Sequence, residues 1–130
     1  MEDAHVIYAE DSWGFFGIFD GHGGSECSQF IARRIDEELR TSGMPATNEA
    51  ITDMAFRLDN EFLNSNRPGG SCATFVIAQA PTRPGGSYHL RVGNLGDSRV
   101  LLGRADGSIF PGPGTDLALT TDPCQLKIHT

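Results

Sequence analysis

The chain has 130 residues, 38% hydrophobic and 21% charged, which suits one globular domain over 1–130 with a buried core. Its 17 Asp and Glu against 10 Lys and Arg give a formal charge of −7. That charge argues against nucleic acid or an anionic membrane as main partner, because phosphates and lipid headgroups repel an acidic surface.

The opening stretch "MEDAHVIYAEDS" is acidic and lacks the basic region and long apolar run of a signal peptide. No apolar run reaches the length of a membrane span. The expected location is cytoplasmic, with the nucleus as the alternative. Cys27, Cys72 and Cys124 are odd in number, far apart and without CxxC spacing. They suggest neither a disulfide framework nor a zinc site, but a reducing compartment. Cys27 and Cys72 are expected as small core residues.

Residues 4–9 and 13–19 read as strands joined by the polar "EDS" turn, the second rich in aromatic and β-branched residues. A helix is predicted next, with Ser25 as its cap. Cys27, Phe30, Ile31, Ile35 and Leu39 recur near a 3.6-residue period, and Gly43 and Pro45 close the helix. A second helix is predicted over 48–65, capped by Thr47, with Ile51, Met54, Ala55, Leu58 and Phe62 as its apolar stripe. After the "RPGG" turn the pattern becomes β: 71–79, 87–93, 98–103, a hairpin at "RADGS" and a short strand over 108–110. "PGPG" (111–114) reads as a loop and 117–121 as one more strand. Two consecutive helices between antiparallel-looking strands indicate an α+β fold.

The stretch "FFGIFDGHGG" (15–24) ends an apolar strand with a carboxylate, a bare backbone and an imidazole. Strand ends can hold polar groups rigidly at the solvent boundary. Gly21 has no side chain, so its carbonyl can approach a cation, and hard cations such as Mg²⁺ and Mn²⁺ favour carboxylate and carbonyl oxygens. Glu2 and Asp3 stand at the head of the first strand, and Asp97 lies in "VGNLGDSRVLL". Were these turns at one end of a sheet, their carboxylates would converge and repel unless a cation neutralised them. On the residues alone the alternatives stay open. Asp20-Gly21 and Asp97 read equally as turn residues, Glu2-Asp3 as a solvated terminus, and His22 as a structural histidine.

Together "MEDAH", "FFGIFDGHGG", "GGSCATFVIA" and "VGNLGDSRVLL", followed by "LALTTD", resemble the metal-dependent protein phosphatases of the PPM class, the type 2C serine/threonine phosphatases, over residues 1–122. The resemblance implies an antiparallel β-sandwich flanked by helices, with a binuclear Mg²⁺ or Mn²⁺ centre. By position, it implies Asp20 as the bridging ligand, Gly21 as a carbonyl ligand and Glu2 as a ligand of one metal. It implies Asp3 as a residue that holds water at the centre, Asp97 as a ligand of a further site, and His22 as general acid. His5, within "MEDAH", is expected to orient the site, and His89 to lie on a strand surface.

The implied reaction is dephosphorylation of phosphoserine or phosphothreonine in a protein substrate. The family's arginine before "MED" and its later aspartates are expected to lie outside these 130 residues, and Arg33 and Arg34 are expected to face solvent. The sandwich is therefore expected to be incomplete on its C-terminal side, leaving edges and apolar faces that favour self-association. A catalytically impaired module that binds phosphoproteins or regulates a partner is the alternative reading.

Overall fold

Alternation of large apolar side chains sets the first two strands and decides which face each residue meets. The computed structural model describes residues 1–110 and 127–129. It forms β1 over Ala4–Ala9 and β2 over Trp13–Phe19. In β2, Trp13, Phe15, Gly17 and Phe19 point into the core, while Phe16 and Ile18 stay 46% and 60% exposed. A two-residue β3, Gly21–His22, follows.

Helix α1 spans Glu26–Ser42 and α2 spans Asn48–Asn64. The Thr47 hydroxyl accepts from the Ala50 amide at 3.1 Å, as a cap should. Ser25 occupies the other cap position, but its side chain makes no capping bond. Gly43, at φ +75°, ends α1 by donating its N–H to the Leu39 carbonyl at 3.0 Å. The chain then gives β4 (Gly70–Ser71), β5 (Ala73–Gln79), β6 (His89–Leu95), β7 (Leu102–Gly103), β8 (Ile109–Phe110) and β9 (Lys127–His129).

The main sheet runs in the order β1-β2-β5-β6-β9, with every neighbouring pair antiparallel. Its inner face presents Phe15, Phe19, Phe75 and Ile77 to Ile35, Leu39, Ile51, Met54 and Leu58 of the helices. Each such side chain contributes about 1.5–3 kcal/mol on leaving water. Cys27, Phe30 and Phe62 form a smaller cluster between the helices. Burial pushes the Cys27 thiol up to about 11, so it behaves as the expected core residue.

The α+β class is as expected, and the two helices follow the predicted spans closely. The strands depart from expectation at β3, which was not foreseen, and in four further places. The stretch predicted over 71–79 divides at Cys72, and that predicted over 87–93 lies two residues later. The strand predicted over 98–103 shrinks to Leu102–Gly103, and β9 was not foreseen. The "RADGS" hairpin forms, with Arg104 N–H donating to the Ser108 carbonyl at 2.8 Å. The predicted loop at 111–114, the predicted strand at 117–121 and Cys124 lie outside the described residues.

The second sheet of the expected sandwich is not formed among the described residues, where β3–β4 and β7–β8 are only two-residue ribbons. The outer face of the main sheet accordingly leaves Ile7, Phe16 and Ile18 open. Arg34 also departs from expectation. Instead of facing solvent freely, it grips Glu61 of α2 through two bonds, at 2.9 and 3.1 Å, and so ties the helices together. Among the described residues no helix is long and apolar enough to cross a membrane.

Candidate metal centre

Register brings the acidic strand ends together. In the β1–β2 ladder Ala4 stands opposite Phe19. One step further along that register sets Asp3 against Asp20, and a second sets Glu2 against Gly21. In the β2–β5 ladder Ile18 faces Thr74, which sets Asp20 against Cys72. The Cys72 amide closes this step by donating to the Asp20 carbonyl at 2.9 Å. The same register continues as β3–β4, with Gly21 opposite Ser71 and His22 opposite Gly70. In β5–β6 Ala73 faces Leu95, so Cys72 meets Gly96, the neighbour of Asp97. One row at this end of the sheet therefore runs Asp3, Asp20, Cys72, Gly96. Strand alternation sets Asp3 and Asp20 on the same face as Ile18.

Backbone packing under the row is tight. A Cβ on Gly21 would lie 2.5 Å from the Glu2 carbonyl oxygen and 2.9 Å from Ser28 Oγ. Glycine is therefore the residue that lets β1 close over this turn. The buried Ser28 hydroxyl donates to that Glu2 carbonyl, and also to the Ser25 carbonyl at 3.1 Å. Glu2 Oε1 accepts the Gly24 amide at 3.0 Å, just before α1, where the helix's partial positive charge favours a carboxylate.

Side chains on the row feel one another. Asp20 is held above the ordinary aspartate range, first by the negative charge of Asp3, then by partial desolvation, a hydrogen bond to Asp3 and the charge of Asp97; His22 opposes the shift. Asp97 Oδ1 accepts from the Cys72 thiol at 3.2 Å. His22 is exposed, and its ring packs over Gly70, where a Cβ would sit 2.4 Å from Nε2.

The structure thus brings Asp3, Asp20, Asp97 and His22 to one corner and leaves Glu2 engaged with Gly24. Among the described residues no three His, Cys, Asp or Glu side chains close into a complete metal-holding group. His5 is exposed opposite Ile18, and His89 is exposed at the start of β6.

Cys72 is the residue that sequence reasoning misread. It is half-buried with its sulfur on Asp97, not a core residue. Only the pairing register reveals this, since a cysteine next to a strand normally reads as packing. An apolar cavity of about 310 Å³ lies beneath, lined by Met54, Leu58, Phe62 and Phe75 and touching His22 and Cys72. Its lining leaves the polar chemistry to the acidic row.

The family model for Protein phosphatase 2C matches residues 1–122. The chain belongs to the protein phosphatase 2C family. It is 33% identical over 133 aligned residues to Probable protein phosphatase 2C 32 of Oryza sativa subsp. japonica, covering 94% of this chain and 30% of that protein. Against Probable protein phosphatase 2C 52 of the same organism it is 35% identical, covering 84% of this chain and 23% of the relative. With Probable protein phosphatase 2C 69 of Arabidopsis thaliana the identity is 35%, over 74% of this chain and 27% of the relative. The chain therefore spans less than a third of the length of these 2C relatives.

Proposed function

We propose that this chain is part of the catalytic domain of a metal-dependent phosphatase that removes phosphate from phosphoserine and phosphothreonine in proteins. The observation that carries this reading is the acidic row: the ladder registers align Asp3 with Asp20, and Asp97 adds its charge to the same corner.

The donor set suits Mg²⁺ or Mn²⁺, since it offers carboxylates and a carbonyl from a glycine that tolerates close approach. Asp20 would bridge a pair of cations. The Gly21 carbonyl and Glu2 would ligate one of them, Asp3 would orient water, and Asp97 would serve a further site. The remaining ligands of a full set would come from outside the described residues, which accords with the incomplete group seen here. When bound, such a pair acidifies water and offsets charge on a phosphoryl group.

His22 stands exposed beside the row. It holds a proton on its imidazole and hands it to the departing serine or threonine oxygen, a transfer that an imidazole performs well near neutral pH. On the same reading residues 1–130 form one domain acting on phosphoproteins in the cytoplasm or nucleus. The open Ile7, Phe16 and Ile18 surface is where self-association would occur.

The test compares Mn²⁺-dependent release of phosphate from a phosphothreonine peptide by the wild-type protein and Asp20→Asn. The reading expects metal-dependent turnover that the substitution removes. Turnover independent of metal, or equal in both proteins, contradicts it. Retained phosphopeptide binding without turnover would favour the binding module instead.

A further inference from the structure

Cys72 touches both acidic strand ends without being acidic itself. Its amide donates to the Asp20 carbonyl at 2.9 Å, which fixes the backbone that carries the Asp20 carboxylate. Its thiol donates to Asp97 Oδ1 at 3.2 Å. Gly96 has φ +94°, and a Cβ there would lie 2.4 Å from Sγ, so the turn is folded down onto the thiol. On the other side, the Ser71 hydroxyl donates to the Cys72 carbonyl at 2.7 Å.

Asp97 itself lies on an exposed turn. Asp20 follows β2, whereas Asp97 stands two residues past the end of β6, beyond the last ladder pair, Ala73 with Leu95. A carboxylate on such a turn samples several rotamers unless a donor holds one oxygen. The Cys72 thiol is such a donor, and its single bond leaves Oδ2 able to take a cation.

We propose that Cys72 is a positioning residue, the strut that sets Asp97 relative to Asp20 so that the two carboxylates can serve one cation cluster. This inference rests on the metal-dependent reading above and assigns a role to a residue outside the ligand set. It acts through Asp97, so its effect should vanish when Asp97 can no longer serve.

Calorimetric titration of the 130-residue chain with Mn²⁺ tests it. Cys72→Ala should weaken binding about 3- to 10-fold, the range of one ordinary hydrogen bond, since a thiol is a weak donor. Cys72→Ser keeps a donor and should stay within about twofold of wild type. In the Asp97→Asn background, Cys72→Ala should add no further loss, the non-additivity expected of residues that act together.

Unchanged affinity in Cys72→Ala overturns the inference while leaving the metal-dependent reading intact. An equal loss with and without the Asp97 carboxylate overturns it too, since Cys72 would then act merely on the fold. If Cys72→Ala fails to fold, Cys72→Ser alone decides: binding weaker than wild type by clearly more than about twofold refutes the strut. Absence of Mn²⁺ binding by wild type overturns both readings.

Discussion

Gly21→Ala probes the closure of β1 over the candidate centre. The added Cβ would stand 2.5 Å from the Glu2 carbonyl oxygen, against the 3.0 Å that real Cβ contacts essentially never undercut. The strands must therefore separate by at least 0.5 Å. The obstructing atom is backbone, which cannot swing aside as a flexible side chain would. Overpacking of this kind costs about 1–3 kcal/mol. At this chain length the loss corresponds to a melting-temperature drop of about 5–10 °C. Displacing β1 also moves Glu2 and Asp3 away from Asp20, so Mn²⁺ affinity should fall with stability. Gly103→Ala is the control, because a Cβ there meets nothing within 4 Å; its effect should stay within about 0.5 kcal/mol. Thermal melting and metal titration of both variants read the outcome. A Gly21→Ala protein that melts and binds Mn²⁺ as wild type does would refute the close-approach argument.

Glu61→Gln should cost about 0.5–1 kcal/mol near pH 7, a modest figure because the paired side chains are partly exposed and screened. Its bonds from Arg34 hold the Glu61 carboxyl below the ordinary glutamate range in the folded state. That contribution is therefore present above the unfolded value and is lost as pH falls through the folded one. Denaturant melts of the two proteins should converge in acid; a constant gap would refute the pairing. His22→Ala should slow hydrolysis of phosphoserine peptides about 10²- to 10⁴-fold. It should slow p-nitrophenyl phosphate much less, because nitrophenolate departs without a donated proton. Equal losses on both substrates would refute the general-acid role.

Much of the fold was legible because its signals are local. Alternation in β1 and β2, the Thr47 cap and the apolar stripe of α2 are each written within a few consecutive residues. The elements that sequence missed depend on distant partners. Strand β9 owes its existence to pairing with β6, and the break at Cys72 to the Asp20 carbonyl and the Gly96 turn. Arg34 looked like a solvent-facing residue of α1 until α2 supplied Glu61.

For the candidate centre, residue types alone left Asp20, Asp97 and Glu2 as turn or terminal residues. Register then joined Asp3 with Asp20 and brought Asp97 alongside. Glu2 is also held in two ways that residue types alone do not show. Its carboxylate is engaged at the start of α1, and its carbonyl is what Gly21 accommodates.

The central claim is that the end of this sheet gathers a divalent cation. A crystal of the chain grown with Mn²⁺, measured for manganese anomalous scattering, tests it most directly. The account predicts a peak against the Asp20 carboxylate and the Gly21 carbonyl, absent from the Asp20→Asn protein. No peak there, or one that persists without the Asp20 carboxylate, would contradict it.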